Sequence, residues 1–495
     1  MKRQFKETVL HYLGLALTIT GFVMLFPAIA AYFFQELAFT FIIPATVSII
    51  SGIFMMTHYE AGEVTMGRAM TLSAIAFVAI ALVGAVPYIM QSQTIYGEVG
   101  VNAYVSAYFE SMSGFTTTGL TILPDITVVP ESLLFWRSLT QWIGGVGIVV
   151  LFLIFFVSKT MGSSVPGMSA YYLFKGEANE ERLEPSTAKS VRGIAKVYVF
   201  YTIIGLVIYR MAGMPLMDSI NHILTSVSTG GFSTQVASTG TYGSVWLDTA
   251  IGIFMIVGAT SFLFHYKLLG LKWKDLGRFA KNYEMKVWFL FMAIFAGALS
   301  THFWLVGTEN PLWKGIFQTV SASTTTGFVN MDIAGMGDVG LLLLTFVMFI
   351  GGSAGSTAGG LKIIRFLILL KAIPWTVRRF LLPKTAVFPL KVGTHVFGKD
   401  EISQVSVYLF IYLFITFLGA IILTIIGYPF IESLFEITSA SATVGMSTGI
   451  TQFTMPLLGK IVLIIEMLLG RLEILPVLVL LMATINRKQW GSFYK

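Results

Sequence analysis

Four stretches of the chain combine glycine with hydroxyl residues in one order. Their cores read Thr117-Thr118-Gly119, Thr229-Gly230-Gly231, Thr325-Thr326-Gly327 and Thr443-Val444-Gly445. Each follows a short apolar or amphipathic segment, beginning near Phe109, Ile223, Phe317 and Phe435, that is too short to cross a bilayer. These residues offer no general base and no soft metal ligand. They offer oxygen, from an extended segment that can turn carbonyls inwards and from a helix C-terminus carrying partial negative charge. Rings of such oxygens replace the water shell of a monovalent cation. Glycine at the aligned position permits backbone angles closed to other residues and keeps side chains out of a pore. The fourth tract repeats the start of the Thr-Val-Gly-Tyr-Gly filter of potassium channels. Small-residue packing explains one such tract equally well. Four in register, roughly a hundred residues apart, favour a pore lining built by an internal repeat.

Glu110 and Glu436 sit nine residues before Gly119 and Gly445, where the other copies have His222 and Gln318. An acid present in two copies of four predicts support of the loop, not contact with the ion. Two further features interrupt apolar runs. The ten small residues Gly351, Gly352, Ser353, Ala354, Gly355, Ser356, Thr357, Ala358, Gly359 and Gly360 break a run that starts near Val339. At about 1.5 Å per residue the break lies roughly 18 Å along it, so a loop at mid-membrane, able to gate a pore, is expected. Overlapping small-residue helix contacts are the alternative. A phosphate-binding loop is excluded, because Leu361 precedes Lys362 and no Ser or Thr follows that lysine. Arg471 lies on the order of 22 Å into the last run, where a charge needs water or a partner. With Glu473 beside it, Arg471 sets a barrier to cations in the pore, forms a structural ion pair with Glu466 or Glu473, or does both.

The elements that must hold these residues are apolar runs near 9–33, 37–57, 70–90, 131–157, 191–211, 245–267, 285–305, 339–371, 402–426 and 457–484. Ten transmembrane helices are therefore expected in an all-α polytopic membrane protein. The composition agrees: 55% hydrophobic, 12% charged, and mean hydropathy +0.80 over 495 residues. A soluble enzyme, a disordered scaffold and a single-anchor protein with a large polar head are excluded. The chain has no cysteine, and His11, His58, His222, His265, His302 and His395 lack ligand spacing, so no transition-metal site is expected. The net charge of +7 reflects Lys and Arg concentrated after Tyr59, Val157, Lys267 and Arg365 and at both ends, the pattern of cytoplasmic connections, not of nucleic-acid binding. Both termini are then inside. The opposite connections carry Glu98, Asp125, Glu131, Asp218, Asp248, Glu309, Asp332 and Asp338, which raise cation concentration at an entrance or are simply exposed loop acids. The first run is too long for a signal peptide and reads as a retained helix. The expected organisation is two N-terminal helices in 1–58, then helix, re-entrant loop, helix units in 69–158, 190–268, 284–372 and 400–486, arranged with fourfold pseudo-symmetry about one pore.

With its four tracts, the 351–360 loop and Gly470-Arg471-Leu472-Glu473, the chain resembles the Trk/Ktr/HKT potassium transporters over essentially its whole length. The two extra N-terminal spans and the Gly-Arg-Leu-Glu string look more like the bacterial TrkH/TrkG branch than the Ktr branch. The resemblance implies potassium uptake across a bacterial plasma membrane through one pore per protomer, a homodimer, and a cytoplasmic ring of nucleotide-binding TrkA subunits. It places filter glycines at Gly119, Gly231, Gly327 and Gly445, the gate at Gly351–Gly360 and the pore arginine at Arg471. Glycine, not serine, at 119 implies preference for potassium. Gly230 departs from Thr118, Thr326 and Val444 at the matching position. No nucleotide fold or covalent cofactor is encoded, so nucleotide control would enter through the partner, at basic segments such as Lys267–Lys286 and Arg365–Lys399. A proton- or sodium-coupled symporter is the rival transport reading. A membrane enzyme is disfavoured, because the sequence has no HExxH, GxSxG or intramembrane acidic pair.

Overall fold

The computed structural model describes residues 2–62, 66–157, 187–269, 282–383, 388–393 and 395–485. The basic connection after Val157 and most of 267–286 lie outside these residues. Helices form almost everything described. They are α1 (Lys2–Phe33), α2 (Phe39–His58), α3 (Met66–Met90), the one-turn α4 (Ser92–Tyr96), α5 (Val101–Phe115), α6 (Glu131–Val157), α7 (Thr187–Met211), α8 (Leu216–Val227) and α9 (Val245–Ala259). After these come α10 (Phe262–Leu269), α11 (Tyr283–Val306), α12 (Pro311–Ser323), α13 (Gly337–Ile350) and α14 (Ile363–Leu381). The chain closes with α15 (Lys399–Ile426), α16 (Phe430–Ser441), α17 (Leu457–Arg471) and α18 (Leu475–Ile485). One antiparallel hairpin, Leu390–Val392 with His395–Phe397, interrupts the series before α15.

Among the described residues, six helices are long and apolar enough to cross a membrane: 6–33, 39–58, 67–90, 192–211, 283–306 and 399–426. A helix of about 20 residues spans roughly 30 Å, so helices of this length suffice. Their outer faces carry exposed Phe22, Phe54, Ile203, Leu290 and Phe414, as a lipid-facing surface requires. In contrast α5, α8, α12 and α16 have 15, 12, 13 and 12 residues and are mostly buried, so these short helices end inside the protein.

Two expected spans are not continuous. The run 245–267 is broken at Thr260–Ser261, between α9 and α10, and 457–484 is broken at Leu472–Ile474, between α17 and α18. Glu473 and Ile474 take φ of 55° and 65°, left-handed values that end a helix and that hydropathy does not reveal. The expected break in 339–371 is present between α13 and α14 and extends to Lys362.

The helix after each tract packs on the short helix of the next copy. Thus α6 meets α8, α9 meets α12, α13 meets α16, and α17 returns to α5. This order closes on itself and carries the four tracts to one centre. The pair α1 and α2 packs outside, with α1 against α3 and α6. Glu36, between α1 and α2, accepts from the Glu131 and Ser132 amides at 2.8 and 3.1 Å and so caps the start of α6.

Candidate functional site

Each short helix ends in the same cap. The amides of Thr118, Gly230, Thr326 and Val444 donate to the carbonyls of Ser113, Thr225, Ser321 and Ser439 at 2.8 to 3.0 Å, closing the last turn as a Schellman motif. The residue in the left-handed position is a threonine every time: Thr117, Thr229, Thr325 and Thr443, with φ of 53°, 52°, 53° and 53°. Glycine usually fills that place, and a β-branched residue there is an outlier. Repetition at four helix ends makes it a built feature, and it turns the chain sharply into the tract.

The tracts then meet in a closed cycle. A Cβ on Gly119 would overlap the carbonyl oxygen of Gly230; on Gly231, that of Thr326; on Gly327, that of Val444; on Gly445, that of Thr118. All four glycines have positive φ, from 74° to 93°. Every tract thus presses a carbonyl against the glycine of its neighbour, and both space and conformation demand glycine. All twelve core residues named in the sequence are brought together. The threonines and Val444 are fully buried.

The position nine residues before each glycine anchors the returning chain. Glu110 accepts from Thr121 Oγ1 and the Ile122 amide at 2.8 and 2.6 Å. Glu436 accepts from Ser447 Oγ, the Thr448 amide and Thr451 Oγ1 at 2.5, 2.8 and 2.8 Å. His222 Nε2 lies 3.0 Å from Ser233 Oγ, and Gln318 donates to Asn330 Oδ1 at 3.0 Å. Three kinds of side chain at four aligned positions therefore do one job, holding the segment eleven to fifteen residues onward.

Two α6 residues that carried no weight in the sequence reading explain the irregular second tract. Gln141 donates to the Gly230 carbonyl at 2.7 Å and accepts from the Phe232 amide at 3.1 Å. A Cβ on residue 230 would overlap the Gln141 amide, so threonine or valine is excluded there. One turn earlier, Arg137 pairs with Glu110 at 3.3 Å, donates to the Ser233 carbonyl at 3.2 Å and lies over the Phe232 ring. Arg137 was a legible signal, an arginine inside an apolar run. Its proximity to the helix start disguised it.

Gly351–Gly360 forms the loop between α13 and α14, directly against the tract ends. The break after α9 receives it: the Ser353 and Thr357 amides donate to the carbonyls of Ala259 and Gly258 at 3.1 and 3.2 Å, and the Phe262 amide donates to Gly355 O at 3.1 Å. Helix-end carbonyls that would otherwise be orphaned are thus satisfied. Toward the tracts, the Gly359 amide donates to Thr325 Oγ1 at 2.7 Å, and Thr357 Oγ1 lies 3.1 Å from Thr229 Oγ1. Glu284 accepts from Ser353 Oγ at 3.0 Å.

Arg471, at the end of α17, donates to the carbonyls of Thr357 and Gly144 at 2.7 and 2.8 Å. The expected ion-pair alternative is not found. Glu473 pairs instead with Arg365 of α14 at 2.5 Å, and Glu466 packs against Gly419 of α15. Helix α17 ends at Arg471, so the turn that follows carries Glu473 away from the guanidinium. Lys362, at φ of 75°, donates to Ala358 O within the loop.

The acids of the connections expected to face outward divide. Asp218 accepts from Thr234 Oγ1, Gln235 Nε2 and Tyr242 Oη at 2.6, 3.2 and 2.7 Å, and Asp248 accepts from Trp313 and Asn330, so these two tie loops together. Burial, reinforced by Asp218, holds the Tyr242 phenol well above its usual range. Asp125 is solvent-facing, and its bonds from Thr127 lower its carboxyl.

A helical membrane protein that closes four short helices and their glycine tracts on one centre belongs to the class that moves small solutes or ions. The comparisons specify which. The TrkH family, described as cation transport protein, matches residues 90–490, and the chain belongs to that family. It is 35% identical to an uncharacterized cation transporter of Methanocaldococcus jannaschii over 96% of this chain and 95% of that protein. It is 28% identical to the Trk system potassium uptake protein TrkH of Escherichia coli over 97% and 99%. Among solved structures, the crystal structure of the potassium transporter TrkH from Vibrio parahaemolyticus superposes with TM-score 0.83 at 25% identity, covering 97% of this chain and 99% of that one.

Proposed function

We propose that this chain takes up potassium through a channel-like pore whose selectivity filter is Thr117-Thr118-Gly119, Thr229-Gly230-Gly231, Thr325-Thr326-Gly327 and Thr443-Val444-Gly445. The observation that carries the reading is the cyclic contact of each glycine with the preceding carbonyl of the next tract. In this reading carbonyl dipoles substitute for the hydration shell of potassium, and the C-termini of α5, α8, α12 and α16 add negative potential at the centre. The repeat units are 69–158, 190–268, 284–372 and 400–486, related by fourfold pseudo-symmetry, with 1–58 packed outside. Gly351–Gly360 is the gate. Arg471 latches it through Thr357 and places positive charge on the ion path, while Glu473 holds α14 through Arg365. The protein acts as a homodimer in a prokaryotic plasma membrane with both termini inside. Nucleotide acts on it only through a cytoplasmic TrkA-type subunit.

Flux of potassium against sodium into proteoliposomes tests this, with and without Gly119→Ser. The native protein should prefer potassium, and the serine, whose Cβ would overlap the Gly230 carbonyl, should displace that oxygen and so reduce the preference or abolish flux. An unaltered preference refutes the filter assignment. The breaks beside the loop also suit a proton- or sodium-coupled symporter, which moves discontinuous helices about a midplane site. Single-channel currents in a bilayer favour the channel; slow flux bound to an ion gradient favours the symporter.

A further inference from the structure

One carboxyl of the membrane interior stands outside the ion pairs described above. Glu466 is the tenth residue of α17, about 14 Å from the helix start, and is 4% exposed. Its Oε1 lies 2.9 Å from the place a Cβ on Gly419 would take, so the side chain presses on the backbone of α15, and its Oε2 has no hydrogen-bond partner. Tyr412 of α15 is the titratable group within electrostatic reach, and its buried hydroxyl also makes no hydrogen bond of good geometry. Among the described residues no cation pairs with Glu466. On its own helix Lys460 is held by Asn102 and Ser106, and Arg471 by two carbonyls. On the helices packed around it, Glu436 of α16 holds its own loop, Glu110 of α5 pairs with Arg137, and Tyr408 of α15 lies under Arg365, which pairs with Glu473. A buried charge without partner or water is unfavourable, and a carboxyl so placed binds a proton instead.

The same seam receives both ends of the loop. Tyr408 and Tyr412 share one apolar cluster with Leu361, Leu469 and Ile474, and the Phe349 ring lies 4.9 Å from that of Tyr412. The Leu361 amide donates to the Phe349 carbonyl at 2.9 Å. Phe349 and Leu361 flank the ten small residues, so movement of the loop unpacks the wall that covers Glu466.

We propose that Glu466 is a proton-binding site coupled to the loop: it holds a proton while Phe349 and Leu361 pack on Tyr412, and releases it to water when the loop withdraws and the seam is wetted. This rests on the reading of Gly351–Gly360 as the gate. A proton bound best in the closed arrangement favours closure, so acid holds the pore shut and rising pH opens it. The dependence is at most about tenfold per pH unit, the limit for a single proton.

Potassium flux into proteoliposomes holding the full-length protein is measured across a series of pH values, with the same pH on both sides so that no proton gradient drives transport. Native flux should rise about fivefold or more toward alkaline pH, the lower end of ordinary coupling between sites. Glu466→Gln, which copies the neutral carboxyl, should abolish the rise and stay at the acid level. Glu466→Asp should keep a rise with a displaced midpoint. Infrared difference spectra of the native protein over the same series should lose a carboxylic-acid band with the midpoint of the flux rise, a readout that needs no variant to fold, and Glu466→Gln should lack that band. Flux that ignores pH, a profile that Glu466→Gln leaves unaltered, or the absence of such a band overturns the proposal. The gate reading fails separately, if Arg471→Ala leaves resting flux unchanged.

Discussion

Gln141 shows how a residue of α6 shapes a glycine tract nearly a hundred residues further along the chain. Its amide takes the place that the side chain of Thr118, Thr326 or Val444 occupies elsewhere, so the second tract keeps its backbone course only with glycine at 230. Replacing it with leucine leaves the Phe232 amide and the Gly230 carbonyl without these partners. Unsatisfied buried groups cost about 1–3 kcal/mol each. Gln141→Leu should therefore lower the thermal midpoint and weaken discrimination of potassium from sodium together, read by melting in detergent and by flux. A fall in stability with unchanged discrimination would place Gln141 outside the ion path. A charged neighbour, Arg137, needs no water because Glu110, a carbonyl and an aromatic face meet it on three sides.

At the scale of elements, the three broken helices and the loop form one device. Helix α9 stops where its last carbonyls can receive loop amides, and α17 stops where Arg471 can reach the Thr357 carbonyl. A cation at a helix C-terminus is favoured by the helix dipole, and its two carbonyl bonds tie the loop, through Thr357, to α6, through Gly144. Hydrogen bonds of a charged group contribute about 1.5–3 kcal/mol, so Arg471→Ala should raise resting flux on the order of tenfold. Arg471→Lys, reaching one carbonyl in place of two, should fall between. Resting flux unchanged in both variants would mean that the latch lies elsewhere. The loop itself remains short of regular structure because its small residues offer no side-chain packing to hold a helix, while the Ser353 and Thr357 amides and the Gly355 carbonyl find partners in the break after α9.

For the molecule as a whole, the cycle of short helices closes at the seam between α17 and α5. Lys460 of α17 donates to Asn102 Oδ1, Ser106 Oγ and the Phe453 carbonyl at 2.6, 2.9 and 2.7 Å, joining α17 to α5 and to the chain after the fourth tract. Lys460→Met should lower the thermal midpoint clearly more than Lys399→Met, a change at an exposed lysine. An equal effect would show that the cycle is closed by apolar packing alone. The cap that Glu36 places on α6 fixes the N-terminal helix pair to the bundle.

Hydropathy and the spacing of glycine and threonine sufficed to place the short helices, the tract residues and the loop after α13, because each rests on local chemistry: an apolar run of given length, or backbone angles open to few residues. The partners of Arg471, the Gln141 contact behind Gly230 and the turns at Thr260 and Glu473 were hidden. They join residues far apart in the chain, and hydropathy registers an apolar run without registering where its hydrogen bonds are interrupted. Which carbonyl meets which glycine was likewise decided only by the closure of four separated segments on one centre. That closure depends on packing α6, α9, α13 and α17 each against the next short helix, a geometry no single segment contains.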